Sequence, residues 1–540
     1  MIKKLRIYMP FVNAGMQETT TYRANWIFLM IGNVLGCFVS YFIWKAVFVS
    51  GTDSSLNGFT MPQMVVYIFL MFLTSTLISS GGTYDIGEEI RDGSISMRII
   101  KPISYNATFL FQELGNKLLT ICILIVPMVV GVEIVCTVIS GTVQFEIQGF
   151  LLYILSCTFA YLVNFFFNIC FGFVAFIINN LWGANMMKNC IVGFLSGSVI
   201  PLTFLPDILE KIFLLLPFAS LNYTPVMIYM GKYSGLSLLY YLGLQIFWVL
   251  FFWGLSKLLW YVSVKHLSMQ GGVTMKQVKR MLRMHRIFVT QELKRMMEYK
   301  GDFIVGIVGF LLGQFFNLLF LWIIFSQIPS LMGWTLEQIL FIYGFSLIPK
   351  GLDHLLFDNL WSIGHFTVRK GDFDKYLTRP INTLFHVMVE KLQIDAFGEL
   401  IMGIALICIS VPSISIEWSV SKVLLTIVVI PFATMIYVGI KTATAAIAFW
   451  TKRSGNITYM FYMFNDFAKY PVTIYNNVVK NIITYIIPFA FAAFYPVKYI
   501  LTGDNPLFNI GMTVILSIII MFMGVIVWNK GIKAYESAGS

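Results

Sequence analysis

Charge is scarce in this chain. Only 12% of its 540 residues are Asp, Glu, Lys or Arg, whereas about 25% is usual in a water-soluble domain. Hydrophobic residues make up 58% of the chain, and the mean hydropathy is +0.80. This balance excludes an ordinary soluble domain. It predicts an all-α integral membrane protein, because apolar helices satisfy their own backbone hydrogen bonds in lipid.

Recognisable motifs for chemistry are also missing. No G-x-x-x-x-G-K-[ST] phosphate loop occurs, since the one Gly-Lys pair, Gly231-Lys232, is followed by Tyr233. The seven cysteines and five histidines show neither a disulfide framework nor metal-ligand spacing. No Ser/His or His/Asp/Glu group recurs at a catalytic spacing. The sequence therefore predicts no catalytic, cofactor or metal site.

What the sequence does contain is a series of twelve apolar stretches. A helix needs about 20 such residues to cross the hydrocarbon core of a bilayer. The predicted spans lie near 26–48, 61–81, 112–138, 149–180, 184–206, 236–262, 303–326, 336–357, 384–412, 421–450, 459–492 and 508–529. Pro471 and Pro488 interrupt one of them, so part of it is predicted to be re-entrant or interfacial.

The sequence repeats itself over half its length. Arg91-Asp92-Gly93 precedes Lys101-Pro102, and Arg369-Lys370-Gly371 precedes Arg379-Pro380, 278 positions later at both ends (369 − 91 and 380 − 102). A repeat of this length indicates a duplicated domain. It predicts two homologous six-helix bundles related by pseudo-twofold symmetry. The predicted boundaries are 1–265 for the first half, 266–285 for a cytoplasmic linker and 286–540 for the second half.

Basic residues alternate with nearly uncharged loops along the chain. They crowd the N-terminus, the two repeated turns and the linker, while loops near 49–60 and 327–335 carry almost none. The positive-inside rule then predicts cytoplasmic termini in a multi-pass protein of the cell membrane, a bacterial inner or plasma membrane. The net charge of +11 is explained by this orientation and by anionic lipid, and no nucleic-acid partner is predicted.

The repeated basic turns have two interpretations. As connectors, they need only a glycine for the reversal and a proline to open the next helix. Their length, mixed charge and duplication favour a docking surface for a cytoplasmic partner, because paired charges set register across an interface. The predicted coupling residues are Glu88, Glu89, Arg91, Gly93, Arg98, Lys101 and Pro102 in the first copy, and Arg369, Gly371, Asp372, Asp374, Lys375, Arg379 and Pro380 in the second.

These turns carry a family resemblance. The Glu-x-x-Arg-x-Gly…Lys-Pro segment from Glu88 to Pro102 resembles the cytoplasmic coupling element of type-2 permeases of ATP-binding-cassette (ABC) transporters. The block Leu216-Pro217-Phe218…Tyr223-x-Pro225, echoed at 487–496, resembles the segment before the last span in that family. The whole chain is similar to two such permeases in tandem, of the daunorubicin-resistance-like exporter branch. Phe366-Thr367 replaces the first copy's acidic pair, so the two docking surfaces need not be equivalent.

The resemblance implies a permease subunit that exports a hydrophobic or amphipathic molecule, such as a drug, peptide antibiotic or lipid. It also implies two copies of a cytoplasmic ABC ATPase subunit, which would bind the ATP and Mg. An ion- or proton-coupled secondary transporter of twelve helices is the alternative. Such a carrier would hold ionisable groups at mid-bilayer, whereas most here cluster at the predicted cytoplasmic ends.

Polar residues within predicted spans are candidates for a transport path, because each is costly in lipid. The predicted path residues are Asn185, Asn189, Asn465, Asp466 and Asn476. The competing interpretation places such residues at helix ends, where long side chains such as Lys188, Lys350 and Lys469 reach the interface.

Overall fold

The computed structural model describes residues 7–51, 55–91, 105–125, 127, 147–176, 181–263, 300–379, 381–393 and 396–537. The predicted linker at 266–285 and the last part of the predicted span at 112–138, from residue 128 onward, therefore lie outside the described residues.

The described first half consists of ten α-helices and one hairpin. The elements are α1 Met9–Thr21, α2 Arg23–Ser50, β1 Ser55–Leu56, β2 Phe59–Thr60, α3 Met61–Ile78, α4 Gly82–Arg91, α5 Tyr105–Thr120, α6 Ile147–Gly172, α7 Leu181–Leu195, α8 Asp207–Leu215, α9 Tyr223–Tyr229 and α10 Leu236–Ser263. A π turn, Ile121–Ile125, follows α5, and 3₁₀ turns lie at Phe173–Phe176 and Leu202–Phe204.

The described second half is also helical, with more short elements. The α-helices are α11 Lys300–Phe325, α12 Leu336–Phe357, α13 Leu360–Ser362, α14 Asp374–Leu377, α15 Thr383–Val389, α16 Phe397–Ser410, α17 Val420–Ala446, α18 Ala448–Thr451, α19 Gly455–Met463, α20 Asn465–Ala468, α21 Asn477–Asn481, α22 Phe494–Thr502 and α23 Met512–Ala534. The π turns are Ile363–Thr367, Ile482–Ile486 and Leu507–Gly511, and the 3₁₀ turns are Val411–Ser413, Val472–Ile474 and Phe489–Ala492.

Eight helices in the described part of the chain are long and apolar enough to cross a membrane: α2, α3, α6, α10, α11, α12, α17 and α23, the last with the π turn before it. They match eight of the twelve predicted spans. The apolar α16 is shorter, because the chain leaves the helix between α15 and Phe397. The prediction of an all-α membrane protein is confirmed.

The fifth predicted span of each half is broken in the same way. In the first half, α7 ends at Leu195, and Gly197 adopts a φ of 76° before the 3₁₀ turn that follows Pro201. In the second half, α19 and α20 give way to a 3₁₀ turn after Pro471. Proline cannot continue a helix, so each segment bends into short helices. The interruption at Pro471 was predicted for the second half, whereas a single span at 184–206 was predicted for the first half.

The hairpin β1–β2 and its counterpart mark the start of the second span in both halves. Thr60 and Gln63 form a capping box on α3, and Thr335 and Gln338 form the same box on α12. A backbone bridge between Leu331 and Trp334 takes the place of the hairpin in the second half. Because a capping box satisfies otherwise free amides of the first turn, both helices begin at fixed residues.

The described chain packs as two compact units that cut across the sequence repeat. The described part of the first contains residues 7–21, those between 55 and 263, and 300–323, and the described part of the second contains residues 22–51 and those between 324 and 537. Each unit therefore holds the first span of the opposite half, α11 in the first unit and α2 in the second. The predicted domain boundaries at 1–265, 266–285 and 286–540 are a different division of the chain and stay a prediction.

Glycines allow the exchanged spans to pack closely. In the first unit, a Cβ atom on Gly183 of α7 would lie 2.5 Å from the Cα atom of Gly306 in α11, and one on Gly309 would lie 2.8 Å from the Gly183 carbonyl oxygen. In the second unit, Gly32 of α2 faces the backbone of Met460 in α19. Small residues at such crossings let backbones approach, which is how helices associate in lipid.

Candidate coupling site

The second copy of the repeated turn forms a compact segment after α12. We call residues 363–389 the coupling segment. It runs from a π turn at Ile363–Thr367 through Gly371, which has a φ of 79°, to the short helices α14 and α15. That φ lies in the left-handed region, which favours glycine because it has no Cβ atom. Asn382 begins α15 by accepting a hydrogen bond from the Phe385 amide at 3.0 Å.

Two aromatic side chains fix this segment to the body of the second unit. Phe373 is fully buried, with its ring centroid 4.7 Å from that of Phe449 and 5.1 Å from that of Tyr535. Tyr376 is also buried and donates a hydrogen bond to Glu390. Burying an aromatic side chain of this kind stabilises by roughly 1.5–3 kcal/mol, so the segment is held as part of the unit.

Three of the predicted docking charges are bonded within the second unit. Lys375 forms an ion pair with Glu390 at 2.9 Å, and Arg379 lies 2.9 Å from the Nε2 atom of His386. Asp374 accepts hydrogen bonds from Tyr535 at 2.9 Å and from Ser537 at 2.6 Å. These contacts shape the segment, so the charges of Asp374, Lys375 and Arg379 are only partly available to a partner.

Other side chains of the coupling segment lie at the surface of the second unit. Asp372 is exposed and Arg369 is half-buried. Three large apolar side chains are exposed as well, Phe366 at 37%, Leu377 at 42% and Phe385 at 40%. An exposed mixture of aromatic, aliphatic and charged groups is typical of a protein-binding surface.

His365, at the start of the coupling segment, is neutral at physiological pH. Burial, with the cations of Arg453 and Arg369, lowers the pKa of His365 to about 4. Its ring stacks on Trp361 at 5.7 Å between centroids and abuts Gly455, the first residue of α19. The ring therefore packs without adding charge where the coupling segment meets the fifth span.

The first copy of the turn lies partly in α4. Glu88, Glu89 and Arg91 occupy the last part of this helix. Thr83 and Ile86 are its buried anchors, and Ile86 packs into a core with Phe109, Phe165 and Ile169. The remaining predicted coupling residues, Gly93, Arg98, Lys101, Pro102 and Pro380, lie outside the described residues.

The predicted path residues do not form one group. Asn465 is buried and accepts a hydrogen bond from Tyr437, and Asp466 pairs with Lys469 one turn away at 2.6 Å. Asn476 caps α21 by accepting from the Val479 amide at 2.9 Å. Asn189 is exposed, whereas Asn185 is fully buried, and neither of its amide atoms has a hydrogen-bond partner in the described part of the chain.

Sequence reasoning missed a buried charge cluster in the second unit. Lys441 of α17 and Asp353 of α12 are both 0% exposed and lie 2.8 Å apart, and Tyr462 donates a hydrogen bond to Asp353. Asp353 thus lies near the end of α12 and is buried inside the second unit. The sequence does mark Lys441 as unusual, because it is one of only two charged residues in α17. Its acidic partners lie more than eighty positions earlier in the sequence, so the pairing itself could not be predicted.

A second carboxylate is buried beside this cluster. Glu399 of α16 pairs with Lys350 at 3.2 Å and with the Nδ1 atom of His354 at 2.9 Å. Both partners project from α12, one turn apart, so the pairs join α12 to α16. Lys350 is therefore an ion-pair partner within the unit, which the interfacial-lysine interpretation did not foresee.

Comparison with known proteins agrees with this architecture. A search of curated proteins and a search of solved structures both find no match. The family model described as "ABC-2 family transporter protein" matches the chain twice, at residues 34–271 and 311–539. The two matches fall on the two predicted halves and together cover most of the sequence, which confirms two tandem permease units. The chain belongs to the ABC-2 family of transporter membrane proteins.

Proposed function

We propose that this chain is the permease that couples a separate cytoplasmic ATPase, in two copies, to the export of a hydrophobic or amphipathic molecule. The ATPase subunits would bind the ATP and Mg. Family membership supports the transport role. The exporter direction and the substrate class rest on the resemblance of the sequence motifs, and the aromatic content of 16% suits an apolar substrate.

The observation that carries the proposal is the anchoring of the coupling segment. Its inner side is fixed by Phe373 and Tyr376 in a core shared with α17 and α23, while Arg369, Asp372 and Leu377 remain at the surface. A simple connector needs no such anchoring. A segment that receives force from a partner must be rigidly joined to the spans it moves, because a compliant loop would absorb the displacement.

Charge reversal on the surface of the coupling segment tests this role. Arg369→Glu should weaken ATPase association by about tenfold or more, because a charge in the middle of an interface fixes its register. Gly371→Val should do the same, since valine is strained at a φ of 79°. Co-purification of the ATPase and ATP hydrolysis by the complex are the measurements.

The matched control for Arg369→Glu is Lys422→Glu. Lys422 is a half-buried basic residue near the first residue of α17, at the end of that span away from the coupling segment. This change should leave ATPase association intact. If both coupling variants bind the ATPase and hydrolyse ATP as the unchanged chain does, the segment is a connector and the proposed coupling role is wrong.

The proposed orientation is tested by cysteine labelling in intact cells. Ser55 lies in the hairpin before α3, Ser413 follows α16 and Thr378 lies in the coupling segment; all three are exposed. In a background freed of native cysteines, Ser55→Cys and Ser413→Cys should react with an impermeant maleimide from outside. Thr378→Cys should react only after permeabilisation, and its labelling in intact cells would reverse the assigned orientation.

A further inference from the structure

A buried lysine joins three elements in the first unit. Lys188 of α7 donates a hydrogen bond to the Oδ1 atom of Asn168 in α6 at 2.6 Å, and another to the hydroxyl of Thr83 in α4 at 3.2 Å. Thr83 in turn donates to the Asn168 carbonyl oxygen at 3.0 Å. We call these three residues the first junction. It links the segment after the second span to the fourth and fifth spans.

A buried lysine joins the corresponding elements in the second unit. Lys441 of α17 pairs with Asp353 at 2.8 Å and with Asp358 at 3.4 Å, at the end of the second span. Tyr462 of α19 donates to Asp353. We call these four residues the second junction. In the second unit the lysine lies on the fourth span, whereas in the first unit it lies on the fifth. Both junctions join the fourth and fifth spans to the region where the second span ends.

The first residues of the coupling segment are linked to the helices that carry the second junction. The Ser454 amide, just before α19, donates to the Gly364 carbonyl oxygen at 2.8 Å, and the Ser454 hydroxyl donates to the Ala445 carbonyl oxygen of α17 at 3.1 Å. These hydrogen bonds join the coupling segment to the fourth and fifth spans of the second unit.

The two junctions differ in charge. Lys441 is neutralised by two carboxylates. Lys188 donates to two neutral oxygens and lies 5.2 Å from the centroid of the Phe171 ring, and it forms no ion pair in the described part of the chain. A buried cation without a counter-ion is poorly compensated. One turn from Lys188, the amide of the fully buried Asn185 has no hydrogen-bond partner among the described residues, and such groups mark strained packing. The first junction is therefore the easier one to open.

We infer that Lys188 and Lys441 are positioning residues that pass movement of the coupling elements to the spans, and that they do so unequally. When the ATPase binds ATP, the first junction opens and the second moves as a rigid body. This inference rests on the proposed function, since the ATPase supplies the movement. The two halves match the same family model, and the inference assigns them different responses to ATP binding.

Distance measurements on the ATPase complex test the inference. One nitroxide pair, Ser79→Cys with Asn189→Cys, spans the first junction, and a second pair, Thr378→Cys with Lys452→Cys, spans the second; all four positions are exposed. Distances are compared without nucleotide and after trapping with ATP and vanadate. The first pair should change its distance and the second should not. Equal changes in the two pairs would overturn the inference.

Exchanging the chemistry of the junctions sharpens the test. Thr83→Asp gives Lys188 a carboxylate, as Asp358 does for Lys441, so the first pair should lose its ATP-dependent change. Asp353→Asn together with Asp358→Thr removes both carboxylates from Lys441, so the second pair should gain an ATP-dependent change in distance. Thr20→Asp on the exposed surface of α1 and Asp466→Thr in a part-exposed ion pair are the controls, and both should leave the distances as they are.

A second variant covers the case in which Thr83→Asp does not fold. Lys188→Gln removes the charge that lacks a counter-ion but keeps a side chain that can donate to Asn168, so the first pair should lose most of its ATP-dependent change. If that change is unaltered, the inference is wrong. ATPase association is measured on the same samples. A complex of the unchanged chain that forms but shows no ATP-dependent change in the first pair overturns this inference alone, whereas the absence of any complex overturns the proposed function as well.

Discussion

Replacing Lys441 by methionine is expected to destabilise the second unit by about 3–5 kcal/mol, because removal of one partner strands a buried charge. Lys441 and Asp353 are both 0% exposed, and the pair ties α17 to α12. Without the ammonium group, Asp353 keeps only the hydroxyl of Tyr462. Thermal unfolding in detergent should show a midpoint lower by on the order of 10 °C.

The matched control for this prediction is Lys469→Met. Lys469 also forms an ion pair, with Asp466 at 2.6 Å, but both side chains are partly exposed, 23% and 34%. Such pairs contribute only about 0.2–1 kcal/mol. The double variant Lys441→Met with Asp353→Asn should recover much of the loss, because no fully buried charge is then left without its partner; Asp358, the other partner of Lys441, is 27% exposed. An equal loss in the single and double variants would show that Lys441 acts through packing alone.

Hydropathy predicted the long spans because the position of each span depends on the apolar residues within it. An apolar stretch such as α17 or α23 has few alternatives in lipid, so its position can be read from composition. The bend in the first half's fifth span depends on a single turn at Gly197. This residue adopts a positive φ, and a Cβ atom there would lie 2.9 Å from Tyr223 and 3.0 Å from the hydroxyl of Tyr67. That contact joins distant parts of the chain, and hydropathy carries no record of it.

The packing of each first span in the opposite unit could not be predicted from the sequence, for a different reason. The repeat shows which segments are homologous, but it does not show which copy each packs against. In the second unit, Asn25 of α2 accepts a hydrogen bond from the Asn456 amide at 3.1 Å, across more than four hundred positions. Both asparagines were visible, yet a single sequence contains no signal that pairs them.

The docking role of the coupling residues stays a prediction. Their charges suggested a surface, and in the structure Asp372 is exposed and Arg369 is half-buried. Asp374, Lys375 and Arg379 bond to groups within the second unit, such as Glu390 and Tyr535. Local charge patterning cannot separate a docking charge from one with a tertiary partner, because the partner comes from another helix.

The close contact of α7 with α11 gives the second large prediction. Gly183→Val should disrupt this crossing, since its Cβ atom would lie 2.5 Å from the Cα atom and 2.9 Å from the amide nitrogen of Gly306. Both obstacles are backbone atoms, so relief requires the helices to separate. Overpacking costs about 1–3 kcal/mol, and we expect a loss near the upper end because contacts along the crossing are lost together.

Gly254→Val is the control for that crossing, because a Cβ atom on Gly254 of α10 would meet nothing within 4 Å. It should change stability by less than about 0.5 kcal/mol. A disulfide reports the crossing directly: a Cβ atom on Gly313 would lie 2.8 Å from the Cys190 sulfur, so Gly313→Cys should crosslink to Cys190 on oxidation. Gly183→Val should slow that crosslinking, and Gly254→Val should not. Rapid crosslinking in both would mean that α11 can dock on α7 without the glycine contact, and that the exchanged span is held by its other neighbours.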